Sequence, residues 1–243
     1  MKTFISLLTT CAACVAGTTI NTATVGTLNV GIAAGGGGGG FSWDFTETFE
    51  GSETDSQSVA GYDNTGWTSS HFSNDPNYAT SPAPLDGSYS VRFINGGTTL
   101  SRTITPTGST QTVCFRWNWG GTWGSYAESS CFRSGTAYLG GIDQRASERL
   151  RIKHGTVVST ELNGWTTATT WYVWFEYTPS SGANDGVLRL YRSTTATKPA
   201  SPSLEITTGT ATSTPDNFRI NGVTNSSIYD NICYEDGVGG DAP

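Results

Sequence analysis

Apolar and polar residues alternate with a period of two along most of the chain after residue 41. No stretch long enough for a helix shows the 3.6-residue period that an amphipathic helix requires. The clearest stretches are 111–119 and 170–178. In the first, Val113 and the aromatic residues take the odd positions, while Cys114, Arg116 and Asn118 take the even ones. Such alternation predicts strands with one buried face and one polar face.

Turn-forming clusters rich in glycine, proline, asparagine and serine separate further stretches of this kind. The predicted strands are 90–94, 98–104, 111–119, 137–142, 149–153, 156–161, 170–178, 186–192, 203–207, 217–220 and 227–234. About ten short antiparallel strands in one domain predict a two-sheet sandwich or a barrel. Abundant threonine, 8 Trp, 10 Tyr and 31 Gly also favour an all-β fold.

Six consecutive glycines at positions 35–40 divide the chain into parts of different chemistry. A glycine run has no side chains to pack and great backbone freedom, so it is expected to act as a flexible tether. Residues 1–34 contain one charged residue, Lys2. We therefore expect an N-terminal attachment segment (1–34), a linker (35–40) and a globular head (41–243).

The first sixteen residues also have the outline of a secretory signal peptide, with Lys2, an apolar stretch and small residues near Ala16. Polar residues interrupt the apolar stretch, and alternation continues from Thr18 to Ala34. Cleavage after Ala16 and retention of the whole segment therefore both stay open. No apolar run is long enough to span a bilayer.

The formal net charge of -7 and the pI near 4.7 disfavour nucleic acid and anionic membranes as partners. Because the five cysteines are an odd number, at least one is unpaired or pairs with another chain. Their spacing fits no zinc site, and His71 and His154 are isolated. Buried free thiols are the simplest expectation.

The start and the end of the head carry the most specific motifs. A Phe49-Glu50-Gly51 stretch precedes Gly66-Trp67, and Asp86-Gly87-Ser88-Tyr89-Ser90-Val91-Arg92-Phe93 follows. Three further motifs lie near the end of the head: Trp171-Tyr172-Val173, residues 187–191 and residues 227–232. This order resembles concanavalin A-like and laminin G-like carbohydrate-binding jelly rolls over residues 44 to 236. The resemblance implies an all-β, two-sheet antiparallel jelly-roll sandwich preceded by an extended N-terminal attachment segment.

The uncharged Thr, Asn and Val-rich segment, the glycine run and a lectin-like head are together similar to tailed-phage fibre and capsid-decoration proteins. This similarity implies a structural protein on the virion surface, joined to other virion proteins through residues 1–34. We expect a homo-oligomer, with a trimer as the expected form. The alternatives are a secreted bacterial carbohydrate-binding module and, third, a polysaccharide lyase or hydrolase.

The residues favour a protein without enzymatic activity. Retaining glycosidases of the resembled fold carry Glu-x-Asp-x-x-Glu on one strand face, and this run is missing from the chain. Lyases of this fold usually need an Arg, His and Tyr set, and the spacing singles none out. Nucleophile elbows and phosphate loops are also missing from the sequence.

Lectin-like sites combine aromatic platforms with planar hydrogen-bonding groups. The alternation that sends Phe115, Trp117, Val173 and Phe175 to the core sends another set to the outer face. The predicted glycan-binding residues are Arg116, Asn118, Trp174, Arg189 and Tyr191, with the loop 119–126 as a possible rim. Alternatively, a neighbouring subunit or loop covers Trp174 and Tyr191.

Many jelly rolls of the resembled type bind a structural calcium ion between the first and last strands. Carried over by motif, the ligand candidates are Glu50 and Asp230, with backbone carbonyls completing the shell. Alternatively, these carboxylates cap turns or face solvent.

Overall fold

The computed structural model describes residues 42–49, 67–70, 77–79, 84–93, 98–118, 127–145, 148–166, 169–222 and 227–243. The expected attachment segment and linker lie outside these residues. Within them the chain forms fifteen β-strands, and no helix there could cross a membrane. The strands are β1 (Phe45–Glu47), β2 (Trp67–Ser70), β3 (Asn77–Ala79), β4 (Ser90–Phe93), β5 (Thr99–Thr103), β6 (Gln111–Asn118), β7 (Ala127–Ser134), β8 (Ala137–Arg145), β9 (Arg149–His154), β10 (Val157–Val158), β11 (Thr170–Thr178), β12 (Gly186–Ser193), β13 (Leu204–Gly209), β14 (Asn217–Asn221) and β15 (Ser227–Glu235).

The strands form two antiparallel sheets. Sheet A has eight strands in the order β13-β12-β11-β6-β15-β4-β3, with β1 paired to β15. Sheet B has seven strands in the order β10-β9-β8-β7-β14-β5-β2. Strands adjacent in space are often distant in sequence, as β6 lies between β11 and β15. This is the predicted all-β jelly-roll sandwich.

Aromatic residues from both sheets meet in the core between them. Phe132 of β7 stacks on Phe175 of β11 with ring centroids 5.2 Å apart. Phe218 of β14 lies 6.3 Å from Phe115 of β6, whose neighbour Trp117 is also fully buried. The predicted inward faces of β6 and β11 are therefore confirmed, because Val113, Phe115 and Trp117 of β6 and Val173, Phe175 and Tyr177 of β11 all enter this core.

All eleven predicted strands have a counterpart, although 156–161 shrinks to β10. β7 was missed, because its sequence alternates weakly: Ser130 and Phe132 face inward between other serines and Cys131. A register shift between Glu128 and Ser130 disturbs the period further. The short strands β1, β2 and β3 were also not predicted as separate strands.

Candidate functional site

The outer face of sheet A is covered in its middle by the last residues of the chain. Cys114, Trp174, Tyr191 and Cys233 form a buried cluster on this face, separate from the main core. Residues 237–243, here called the C-terminal strap, run across it. The strap is held through its backbone groups and through the Asp241 carboxylate, which accepts from the Lys198 N–H at 2.8 Å.

Hydrogen bonds fix the strap to sheet A at several points. The hydroxyl of Thr112 donates to the Gly237 carbonyl oxygen at 2.6 Å and accepts from the Gly239 N–H at 2.9 Å. The indole N–H of Trp174 donates to the Gly240 carbonyl oxygen at 2.9 Å. The ammonium group of Lys198 donates to the Gly239 carbonyl oxygen at 2.8 Å.

The expected exposure of Trp174 and Tyr191 is therefore wrong. Trp174 is 0% exposed and Tyr191 is 7% exposed. The Tyr191 hydroxyl donates to Glu176 Oε2 at 3.1 Å, and Glu176 also pairs with Lys198. The alternation predicted the correct face for both aromatic residues, but a distant segment of the same chain covers that face.

Arg116, Asn118 and Arg189 remain partly accessible, but they do not form one site. Arg116 pairs with Asp86 at 3.0 Å, and Arg189 pairs with Glu205 at 2.6 Å. Through β11, Arg116 is in register with Tyr172 and Arg189 with Glu176. These positions are four residues apart, which corresponds to about 13 Å along the strands. Asn118 ends β6 and is half-buried.

Asp230 lies in a buried polar cluster at one end of sheet A. Its Oδ2 accepts hydrogen bonds from the Ser90 hydroxyl at 2.6 Å and the Asp86 N–H at 3.0 Å. Its Oδ1 accepts from the Asn231 N–H at 2.8 Å. Asn231 has φ 46°, where β15 leaves its register with β6. Burial raises the pKa of Asp230 to about 7, outweighing the opposing effect of these donors and of Arg116.

Asp230 fits the role of a hydrogen-bond acceptor better than that of a calcium ligand. Both of its carboxylate oxygens already accept from N–H or O–H donors, whereas a calcium ligand must direct its oxygens at the ion. Within the described residues, no group of three or more His, Cys, Asp or Glu could hold a metal ion. Glu50 lies outside the described residues, so the calcium site stays a prediction on which no step below depends.

Sheet B carries a different outer face, rich in positive charge. The residues that share it, here called the basic face, are Arg133, Arg149, Arg151, Lys153 and Arg219. Arg219 and Lys153 lie on one cross-strand row through Cys131 and Gly141, since each is in register with its neighbour along that row. Five of the 13 Lys and Arg residues therefore share one face of a chain with net charge -7.

Three acidic side chains accompany the basic face. Arg133 donates to Glu128 at 2.8 Å, Arg151 to Asp143 at 3.4 Å, and Arg149 to Glu161 at 3.0 Å. Burial raises the pKa of Asp143, although Arg151 and Lys153 oppose that effect. Positive charge exceeds negative charge among these residues.

Within the described part of the chain, three polar atoms of the basic face are buried and make no hydrogen bond. They are the Nε atoms of Arg133 and Arg219 and the Oδ1 atom of Asp143. Lys153 lies over the ring of Tyr138 at 5.0 Å. Arg149 and Arg151 reach solvent, with 46% and 29% of their side chains exposed.

Sequence reasoning missed this face. The alternation of Arg149, Arg151 and Lys153 in β9 was a local signal that could have revealed part of it. Arg133 and Arg219 join them only through the pairing of β14, β7, β8 and β9.

A cleft of about 580 Å³ lies where β1 of sheet A approaches β5 of sheet B. Arg102 lies 4.0 Å over the ring of Phe45, which also stacks on the ring of Tyr234. The carboxylates of Asp44 and Asp236 line the cleft, but they hold the local loops. Asp44 accepts from the Asp236 N–H at 2.7 Å, and Asp236 accepts from the Thr107 hydroxyl at 2.7 Å.

Comparison with known proteins gives distant structural likenesses. No protein-family model matches the chain, and no curated protein matches it. The chain is similar to Trypanosoma rangeli sialidase in complex with sialic acid, with TM-score 0.44 and 14% identity over 60% of this chain and 25% of the sialidase. It is also similar to the binding domain of botulinum neurotoxin DC in complex with SialylT, with TM-score 0.45 and 9% identity over 70% of this chain and 42% of that domain. The chain thus spans about a quarter of the sialidase and less than half of the toxin domain.

Proposed function

We propose that this protein is a non-enzymatic glycan-binding protein of a virion surface, and that the basic face of sheet B contacts an acidic polysaccharide. The observation that carries the proposal is the concentration of five cationic side chains on one sheet face of an acidic chain. Three acidic side chains pair with arginines on this face, and the five cationic side chains leave an excess of two positive charges. A polymer of sugars bearing carboxylates is the partner that this charge favours.

The side chains of the basic face suit sugar carboxylates and hydroxyls. Guanidinium groups present a planar fork of N–H donors that matches a carboxylate in two places at once. Arg149 and Arg151 keep 46% and 29% of their side chains exposed. Because both guanidinium groups reach solvent, a sugar carboxylate can approach them from outside the sheet. Partly buried charges are also less screened by salt than fully exposed ones.

The attachment to a virion rests on the amino-acid sequence. Residues 1–34 carry one charge, and the six glycines that follow separate them from the head. Such a segment gains order by adding strands to a neighbouring chain or packing in its groove. Several copies on one particle would let weak contacts act together through avidity, even if each face bound weakly.

Two matched double variants test the glycan face with the full chain. Arg151→Gln with Lys153→Gln removes two positive charges from the basic face. Arg116→Gln with Arg189→Gln removes two from the outer face of sheet A, where the sequence had predicted the glycan site. Binding to immobilised polygalacturonate, with neutral dextran as the reference polymer, is measured at low and at physiological salt.

We expect binding to polygalacturonate, weaker at higher salt, and little binding to dextran. The basic-face variant should weaken this binding by about 5–30-fold, because each lost charge is worth roughly 0.5–1 kcal/mol. The matched control should bind like the parent protein. Loss of binding in the control alone would move the site to sheet A. If neither polymer binds even when the protein is displayed in many copies, the glycan function is wrong.

A separate measurement tests the attachment. Full-length protein and a variant without residues 1–34 are compared for incorporation into purified particles. We expect the shortened chain to fold and to remain outside the particle; incorporation at normal occupancy contradicts the proposal. The signal-like outline before Ala16 favours the secreted alternative, for which the intact mass of the natural protein should lack about 16 residues.

A further inference from the structure

Two of the three cysteines in the head lie directly opposite each other. Cys114 of β6 and Cys233 of β15 are register partners in an antiparallel pair. Such partners have Cα atoms about 4.5–5.5 Å apart and side chains on the same face of the sheet. Disulfides span Cα separations of about 4.4–6.8 Å, so the backbone here needs no large movement to accept one.

Both thiols are buried and unbonded in this structure. They pack in the cluster with Trp174 and Tyr191, over which the C-terminal strap lies. The Cys233 thiol makes only weak contacts, at 3.5 Å to the Thr46 hydroxyl oxygen and 3.5 Å to the Asn231 carbonyl oxygen. A disulfide with Cys114 would replace these weak contacts.

Burial explains why the pair is inert while it is covered. It raises the pKa of Cys233 to about 11 and the pKa of Cys114 well above its ordinary value. The thiolate is the attacking form in disulfide exchange, so very little of either thiol can react at neutral pH. Exchange therefore requires an opening of the strap, or it takes place before the strap closes during folding.

We propose that Cys114 and Cys233 are a redox pair that forms a cross-strand disulfide when the chain meets a low-molecular-weight disulfide such as oxidised glutathione. One thiolate attacks the glutathione disulfide, forms a mixed disulfide and releases one glutathione thiolate. The second cysteine thiolate then attacks the protein sulfur of that mixed disulfide and releases the second glutathione. The two protein thiols lose two protons and two electrons, and one glutathione disulfide becomes two glutathiones.

The bond would join the last strand of the fold to the centre of sheet A. It would close a loop of about 120 residues, in the range where a cross-link restricts the unfolded chain strongly. In a reducing cytosol the pair would stay as thiols, and outside the cell it would oxidise. The proposal does not depend on the glycan-binding function.

Cys131 is the internal control. It is also buried, but its register neighbours are Arg219 and Gly141. Within the described residues, no other cysteine is in register with it. Its thiol is as buried as those of the proposed pair, but no cysteine in the described residues lies opposite it on a neighbouring strand. A comparison with Cys131 therefore separates the effect of geometry from the effect of burial.

The experiment uses the full chain with Cys11→Ser and Cys14→Ser, so that only the head cysteines remain. This parent, and its Cys114→Ala, Cys233→Ala and Cys131→Ala derivatives, are incubated with oxidised glutathione, and the intact mass and disulfide-linked peptides are determined. We expect the parent and the Cys131→Ala variant to lose two hydrogen atoms through a Cys114–Cys233 link. The other two variants should not form it. The melting temperature of the parent should rise on oxidation and fall again with dithiothreitol.

A second variant tests whether the C-terminal strap limits the oxidation of the two thiols. Deleting residues 237–243 should speed the oxidation of the parent without changing which cysteines are linked. The proposal is overturned if the linked peptides contain Cys131, or if the parent keeps all three thiols after the strap is deleted and the oxidant is in excess. Peptide mapping decides between these outcomes even if one alanine variant folds poorly.

Discussion

The indole Nε1–H of Trp174 donates a hydrogen bond to the carbonyl oxygen of Gly240 across 2.9 Å. This bond joins the middle of sheet A to the C-terminal strap. A buried indole needs an acceptor for its N–H, and the strap supplies it. Alternation alone would leave this aromatic face open to a ligand, but the C-terminal strap of the same chain covers it.

Gly239→Ala should destabilise the protein, because the strap lies too close to sheet A for a side chain there. An added Cβ would lie 2.6 Å from Trp43 Cη2 and 2.7 Å from Thr112 Cγ2. Gly237→Ala is the matched control, since its Cβ would lie 3.5 Å from the nearest atom. In urea unfolding we expect a loss of about 1–3 kcal/mol for Gly239→Ala and less than about 1 kcal/mol for the control. Equal losses would show that the strap does not pack as described.

Gly209→Ala should disturb a buried histidine. An added Cβ would lie 2.3 Å from the Cγ of His154, whose ring stacks on Tyr177 with centroids 4.9 Å apart. We expect a loss of more than about 2 kcal/mol from this overpacking. His154→Ala removes the obstacle, so the double variant should be less destabilised than the sum of the two single changes. Thermal unfolding of all four proteins measures this, and strict additivity would contradict the contact.

Asp230 predicts a specific dependence of stability on pH. Because its pKa is raised to about 7, the folded state holds a proton that the unfolded state releases above about pH 4. Its contribution to the free energy of unfolding should therefore fall as pH rises from about 4 to about 7, by up to about 4 kcal/mol, and stay constant above that range.

The measurement compares the parent with Asp230→Asn by urea unfolding at several pH values. Between pH 4 and 7, the free energy of unfolding of the parent should fall relative to that of Asp230→Asn. Asp185→Asn is the control, since serine donors lower the pKa of Asp185 to about 2. Asp185 should affect the free energy of unfolding only below about pH 4, so Asp185→Asn should leave its slope between pH 4 and 7 unchanged. A parent and an Asp230→Asn variant with parallel curves would show that Asp230 is ionised throughout.

Trp117→Ala and Asn118→Ala test the faces of β6. Trp117 is fully buried between Tyr229 and Trp165, so its truncation should cost about 3–5 kcal/mol. Asn118 is the next residue, half-buried on the opposite face, and its truncation should cost less than about 1 kcal/mol. Similar losses for both variants in chemical unfolding would mean that the faces are assigned wrongly.

The fold was predictable because its signals are local. A strand with a period of two assigns each residue to a face from its immediate neighbours, and β6, β11 and β12 show this clearly. β7 shows the limit, because serine and cysteine at successive positions carry little contrast between inside and outside. The candidate site was less predictable, since a face identified as outward need not be exposed.

The sequence by itself determined the all-β class, the positions of eleven of the fifteen strands in the described residues, and the inward residues such as Trp117 and Phe175, because these depend on alternation within one strand. The tertiary structure alone decided three relationships between distant segments. It placed the C-terminal strap over Trp174, set Arg133 and Arg219 on the same sheet face as Arg151, and set Cys114 opposite Cys233. The physical reason is that strand pairing and register come from packing the whole chain at once, and no single strand records which neighbour will lie beside it.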